Sequence, residues 1–271
     1  MSTARIAVLM AAYNAQDTIK PAMDSVLAST VPLDLYIIDD GSTLPVSEAL
    51  GAVPENVFIH RLPENGGLPK ALNAGLKIIL DKDYEFIARF DADDYSYPER
   101  FAVQMEYLET HPSVQIVGAW ANAMGEDPNT PLFTISHPEH HADIVRAMYH
   151  NAAFIHPTLF MRTSMLRSLD KHYDENFRIA QDYEFMARVI RHYETANVPQ
   201  ALIDYSYLSE LSSKNKRRRQ LRARLKVQSM HFTPFEKHAW LGIIKTLILF
   251  CTPMGFTTRL KQILLKPKES A

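Results

Sequence analysis

The chain has 271 residues, 46% of them hydrophobic and 22% charged, which supports one large packed domain and excludes a disordered or fibrous chain. Its single cysteine, Cys251, permits no internal disulfide and no cysteine-built zinc site, as expected of a reducing compartment. The net charge of −2 conceals a split: residues 205–271 carry 14 Lys and Arg against three Glu, a surplus of +11, while residues 1–204 stand at −13. A basic end on an acidic body points to an anionic partner, a membrane surface or a nucleic acid. The opening MSTARIAVLMAAYN runs from a short apolar stretch into Tyr13-Asn14 with no cleavage site, so it does not read as a secretory signal, and a cytoplasmic location is expected.

Along the first half, short β-rich apolar runs alternate with helix-like segments, the pattern of a parallel sheet covered by helices. Residues 5–11 read as a strand and 15–29 as a helix with Ile19, Met23, Val26 and Leu27 on one face. A second strand, 33–38, is stopped by Asp39-Asp40-Gly41-Ser42; a third spans 57–60 and precedes a Gly66-Gly67 loop and a helix over 68–80. The fourth strand, 85–90, ends in Asp91-Ala92-Asp93-Asp94, Pro98 fits the first turn of the next helix, and 114–120 is a fifth strand. Less regular signals follow: helices at 139–149 and 182–192, strands at 158–161 and 201–208. Polar clusters fall at the carboxyl ends of the strands, where open α/β sheets bind ligands. Composition shifts at Ser212-Ser213-Lys214, where KNKRRRQLRARLK begins, and the expected division is a body of residues 1–213 and a tail of 214–271.

Asp91 and Asp93 alternate onto one side if the strand continues through them, so two carboxylates could share one hard cation that also holds a diphosphate. The pattern alone also fits a solvated acidic turn. An EF-hand is excluded by Ser96 and Ala102 at the positions that need Gly and Glu. Asp39-Asp40 can accept hydrogen bonds from a nucleobase or a ribose, or can simply make an Asp-Gly turn. No P-loop and no G-x-G-x-x-G follows the first strand, which disfavours kinases and dinucleotide enzymes.

Taken in order, Ala11-Ala12-Tyr13-Asn14, Asp39-Asp40-Gly41-Ser42, the segment Asn65 to Asn73 and Asp91-Ala92-Asp93-Asp94 resemble the family 2 glycosyltransferases over about residues 4 to 208. The resemblance implies a GT-A type, Rossmann-like α/β fold, a mixed and mainly parallel sheet flanked by helices, here with a basic helical C-terminal extension. It further implies a UDP-sugar donor, with Ala11, Tyr13, Asp39 and Asp40 at the uridine and Gly67 and Lys70 beside the nucleotide. Asp91 and Asp93 would bind ribose and Mn²⁺ or Mg²⁺, with Asp94 able to replace either. Asp182, in Ala180-Gln181-Asp182-Tyr183-Glu184, matches the family's general base, which takes a proton from the acceptor hydroxyl. Two departures stand out: Gln181 replaces the usual Glu, and Ser206 and Leu208 replace an Arg and a His. His156-Pro157-Thr158 resembles a segment on the acceptor side. The resemblance to lipooligosaccharide and surface-polysaccharide enzymes implies a saccharide or lipid-linked acceptor in bacterial glycan assembly; the departures motivate the alternative of a non-catalytic UDP-sugar-binding protein.

In the tail, Trp240, Ile243, Ile244, Leu247, Ile248 and Cys251 follow helical spacing, with His238, Gly242, Lys245 and Thr246 opposite. Thirteen residues span about 20 Å, short of the ~30 Å hydrocarbon core, so the segment is expected to lie on an anionic membrane at its cytoplasmic face and not to cross it. Nucleic acid is the weaker partner, since no aromatic platform accompanies the arginines.

Overall fold

In the computed structural model, which describes residues 4–125, 127, 129–207 and 214–252, the expected strand and helix alternation is present. β1 (Ile6–Ala12) and β2 (Leu33–Asp39) are buried along almost their whole length, as parallel strands covered on both faces must be. They enclose α1 (Ile19–Leu27), and α2 (Val46–Leu50), β3 (Val57–Arg61) and α3 (Leu68–Leu80) follow. β4 (Phe86–Asp91), the two-residue β5 (Tyr95–Ser96), α4 (Arg100–Thr110), β6 (Val114–Met124) and β7 (Pro131–Ile135) come next. The body ends with α5 (His141–Met148), β8 (Phe160–Arg162), α6 (Thr163–Arg167), α7 (Gln181–Val189) and β9 (Glu194–Ser206); α8 (Lys214–Met230) and α9 (Lys237–Cys251) form the tail.

Among the described residues the strands form one sheet in the order β3-β2-β1-β4-β8-β6-β9-β5, with β7 added to β6. β3, β2, β1 and β4 are mutually parallel, as are β6 and β9; β8, β5 and β7 pair antiparallel. This is the mixed, mainly parallel sheet of the GT-A type. Side-chain alternation splits the core into two layers. Val8, Met10, Phe90 and Ala121 pack with Phe101 of α4 on one face; Ala7, Leu9, Ile38, Ile87 and Ile116 pack with Leu72 of α3 and Phe185 of α7 on the other.

Several boundaries differ from the sequence reading. β9 begins at Glu194 and not at residue 201, because Pro199, which lacks an N–H, falls where the β6–β9 register skips from Val198 to Ala201. His156–Thr158 is a 3-10 turn that leads into β8, and α4 starts at Arg100, two residues after Pro98. The tail packs on the body: Gln228 Nε2 donates to Tyr149 O at 2.9 Å, and a Cβ at Gly242 would lie 1.9 Å from the same oxygen. Leu208, the division after Ser213 and the stretch beyond Thr252 lie outside the described residues.

Candidate active site

The loops after β1, β2 and β3 are laced to one another by buried side chains. Asp39 and Asp40 are both buried, but alternation sends them to opposite faces of the sheet. Asp39 accepts from Ser42 N at 2.8 Å and from Val46 N at 3.1 Å at the start of α2, and pairs with Arg61 at 3.4 Å. Asp40 faces the α3 side, as Ala11 does, and accepts from Gly66 N and Gly67 N, each at 2.8 Å. Both carboxylates therefore shape these loops through the backbone. Gly41 is indispensable here: it has φ +69, and a Cβ would lie 2.6 Å from Glu64 C. Asn14, at φ 50, donates its backbone N–H to Ser42 Oγ and accepts from Thr43 N on its Oδ1, so the β1 loop is tied to the β2 loop.

At the mouth, Tyr13 is 52% exposed. Gly67, with φ 88, starts α3, and the Lys70 stem packs over Gly66 with Nζ 3.9 Å from Glu64 Oε1. The mouth thus presents an aromatic ring, a helix start and one ammonium group, a set suited to a nucleotide and its phosphates.

β4 stops at Asp91, and Ala92 and Asp93 form a turn, so the strand alternation expected to align Asp91 with Asp93 does not extend that far. The three carboxylates occupy three environments. Asp91 is half-buried and ion-paired with the buried Arg89, Asp93 is exposed, and Asp94 is buried with Oδ1 accepting from Ser206 N at 2.9 Å. Burial, followed by repulsion from Asp91, holds the Asp94 carboxyl well above its ordinary range, and its Oδ2 has no hydrogen-bond partner. Arg100, also buried, donates to Arg89 O at 2.8 Å and Pro157 O at 2.6 Å, welding β4 to the His156 turn.

On the other side of this turn, His156 Nε2 lies 2.9 Å from Tyr173 OH, and both side chains are buried. Burial, with Arg89 adding to it, keeps the His156 ring far below its usual range and hence neutral. Tyr173 is fixed from both sides by Asn73 of α3, whose Oδ1 accepts from Tyr173 N at 3.0 Å and whose Nδ2 donates to Tyr173 O at 2.9 Å. Its phenol is raised first by burial, against an opposing effect of Arg89 and with smaller contributions from Asp182 and Asp91. Phe185 of α7 stacks on the Tyr173 ring at 4.9 Å, so the helix that begins with Asp182 packs against the His156 turn that Arg100 ties to β4. Asp182 sits half-buried in the first turn of α7 beside half-buried Gln181, after Ala180 at φ 62.

Arg89, Asn73 and Tyr173 were not singled out from the sequence. Arg89 could have been, since a residue two before Asp91 in a strand must share its face. Tyr173 carried no local signal, because its neighbours are brought to it by tertiary contacts. Among the described residues, no group of three or more His, Cys, Asp or Glu is gathered for a metal ion.

Comparison with known proteins places this geometry. The chain is 29% identical over 219 residues to the amylovoran biosynthesis glycosyltransferase AmsE of Erwinia amylovora, covering 77% of this chain and 79% of that protein. It is 28% identical over 211 residues to an uncharacterised glycosyltransferase of Haemophilus influenzae, covering 74% of this chain but only 64% of that protein. Among solved structures, S. aureus TarS 1-349 in complex with UDP-GlcNAc matches with a TM-score of 0.67 at 18% identity over 97% of this chain and 77% of that one. The mannosyltransferase PcManGT of Pyrobaculum calidifontis, in complex with GDP-Man and Mn²⁺, matches at 0.62 and 15% over 97% of this chain and 81% of that one. At such identities these two likenesses show the shared fold. The profile of glycosyl transferase family 2 matches residues 7–170, more than half of the chain, and the chain belongs to that family.

Proposed function

We propose that this glycosyltransferase moves a hexose or N-acetylhexosamine from a UDP-sugar to a hydroxyl of a saccharide or lipid-linked saccharide, with inversion, in bacterial surface-glycan assembly. The observation that carries the reading is the packing of α7, which begins with Asp182, through Phe185 and Tyr173 onto the His156 turn that Arg100 ties to β4 and its acidic end. Asp182 takes the proton of the acceptor hydroxyl, the acceptor oxygen bonds to the anomeric carbon, and the bond from that carbon to the diphosphate oxygen breaks with its electron pair leaving on UDP. The relative AmsE, described as an amylovoran biosynthesis enzyme, supports the glycan setting, and TarS, bound to UDP-GlcNAc, supports the donor class.

Ala11, Tyr13, Asp39, Asp40, Gly67 and Lys70 line the nucleotide end in this reading. Asp91 and Asp93 would offer oxygen donors to a hard divalent cation, and buried Asp94 keeps an Oδ2 without a hydrogen-bond partner, while among the described residues no three such carboxylates are gathered into one cluster. Bound there, Mn²⁺ or Mg²⁺ would supply positive charge against the departing diphosphate. UDP binding followed by calorimetry tests this: affinity is expected to be higher with Mn²⁺ than with chelator, and Asp93→Ala to erase the difference. Equal affinity with and without metal in the wild type contradicts the metal assignment.

The tail, residues 214–271, is read as a membrane-surface module of a protein peripheral to the inner face of the cytoplasmic membrane. The sequence reading put Gly242 and Thr246 opposite the apolar stripe, and these two, with Ala239, are the residues α9 buries. Trp240, Leu241, Ile244, Leu247 and Ile248 are left about half exposed or more, and α8 adds exposed Arg218, Arg219 and Arg222, the last lying over the Phe250 ring of α9 at 5.8 Å. A helix that docks by small residues and turns its apolar stripe outward is suited to a bilayer surface. No helix among the described residues is long and apolar enough to cross a membrane.

A further inference from the structure

Past the acidic turn, the sheet carries a row of polar and aromatic side chains that the reading above leaves without a role. Register aligns the row across neighbouring strands: Tyr95 of β5 opposite Asp204 of β9, Asp204 opposite Asn122 of β6, and Asn122 opposite Thr134 of β7. Laterally paired residues point to one face. That face is fixed by the core: Ala121 packs in the α4 layer, so Asn122 points to the other side, the one that α7 and Asp182 occupy. Among the described residues this part of the face is open. Tyr95 is 47% exposed, Thr134 is exposed, and Asn122 and Asp204 are half-buried.

The row is preorganised. Tyr97 OH donates to Asp204 Oδ1 at 2.6 Å, Asn122 Nδ2 donates to Tyr97 OH at 2.8 Å and to the same Oδ1 at 3.3 Å, and Thr134 Oγ1 donates to Asn122 Oδ1 at 3.1 Å. Both bonds to Asp204 fall on Oδ1, so Oδ2 keeps its acceptor capacity for an incoming hydroxyl. The Tyr95 and Tyr97 rings meet edge to face at 6.4 Å, which stiffens the exposed ring.

A sugar ring presents an apolar C–H face and a rim of hydroxyls that each donate and accept. An exposed tyrosine ring beside a fixed carboxylate, amide and hydroxyl matches both features. Position then separates donor from acceptor. The nucleotide-side loops follow β1, β2 and β3 at one end of the sheet, the row lies on β5, β9, β6 and β7 at the other, and the acidic turn stands between. Asp94 bonds directly to the end of β9 through Ser206 N.

We infer that Tyr95, Asn122, Thr134 and Asp204, held by Tyr97, form a subsite for a sugar ring of the acceptor, on the far side of the acidic turn from the nucleotide. The inference rests on the glycosyltransferase reading of Asp91 and Asp182 and adds where the acceptor is held. Saturation-transfer NMR on the full chain tests it, using methyl disaccharides built from hexoses and N-acetylhexosamines, each with and without UDP and Mn²⁺. At least one disaccharide is expected to bind, with Tyr95→Ala and Asp204→Asn each weakening it fivefold or more while UDP affinity stays within twofold. Asp204→Asn retains an acceptor for Tyr97 and so protects the fold. Phe133→Ala, on the opposite face of β7, should bind the disaccharide as the wild type does. The subsite is overturned if the wild type binds none of the disaccharides, if Tyr95→Ala and Asp204→Asn bind like the wild type, or if Phe133→Ala loses as much as they do. A wild type that binds the disaccharide but not UDP would instead overturn the donor reading.

Discussion

Four carboxylates that look alike in the sequence do different work once their hydrogen bonds are counted. Asp39 and Asp40 are adjacent, yet one organises α2 on one face of the sheet and the other organises the Gly66-Gly67 turn on the other. Asp91 leans on Arg89, and Asp94 is pushed toward its neutral form. Such differences arise from which backbone N–H groups the fold delivers, and no spacing rule contains them. His156 offers a residue-scale test through pH. Burial holds its folded ring well below 6.5, so the unfolded chain takes up a proton that the folded one resists. Stability from this neutral ring is present above about pH 6.5 and is lost as pH falls below it toward the folded value. The melting temperature is expected to fall between pH 7 and pH 5, with a shallower fall in His156→Gln; parallel profiles for the two proteins would show that the ring is not buried uncharged. Half-buried His137 contributes to the same trend, since burial lowers it too.

At the scale of elements, the strands that carry motifs were legible because each couples a buried apolar run to a polar stop: Ile6–Ala12, Leu33–Asp39 and Phe86–Asp91 all end where the ladder gives way to a loop. Short elements were not. β5 has two residues and exists only because β9 pairs with it, and β7 is exposed on both faces, so neither has a burial pattern to read. Asp182 was placed on α7 correctly, but Tyr173 and Asn73 lie 100 residues apart and are joined by hydrogen bonds that local sequence does not encode. For α9, the helix was legible and its orientation was half legible: the small residues that seem the weak side are the docking side. Gly242→Leu should therefore lift α9 from the Tyr149 carbonyl, since even a Cβ meets that oxygen at 1.9 Å. Overpacking of this kind costs about 1–3 kcal/mol, read as a lowered melting temperature. An unchanged melting temperature would mean that the helix is not seated there.

The whole molecule combines an acidic catalytic body with a basic tail whose inner face is part of the body. α8 contributes Val227 to the core layer that contains Met148 and Tyr183, the residue next to Asp182. A membrane-bound tail would therefore hold the active site at a fixed height above the bilayer. Co-sedimentation of the full chain with vesicles rich in anionic lipid tests this without cutting into the core. Binding is expected, and Trp240→Glu with Ile244→Glu should reduce it even at low salt, because these replacements attack the apolar contribution that salt does not screen. Equal sedimentation of variant and wild type would remove the exposed stripe from the membrane role.

The central claim is that the acidic turn and Asp182 form one transfer site. Its most direct measurement is turnover of a panel of UDP-sugars against saccharide acceptors by the wild type and by Asp182→Asn, with UDP affinity measured on both. Transfer by the wild type is expected, with a loss of about 10²-fold or more in the variant and similar UDP affinity in the two, the pattern of a lost general base. Undiminished transfer by Asp182→Asn would contradict the assignment of the base, and UDP binding by the wild type without transfer to any acceptor would point to a nucleotide-sugar-binding protein instead.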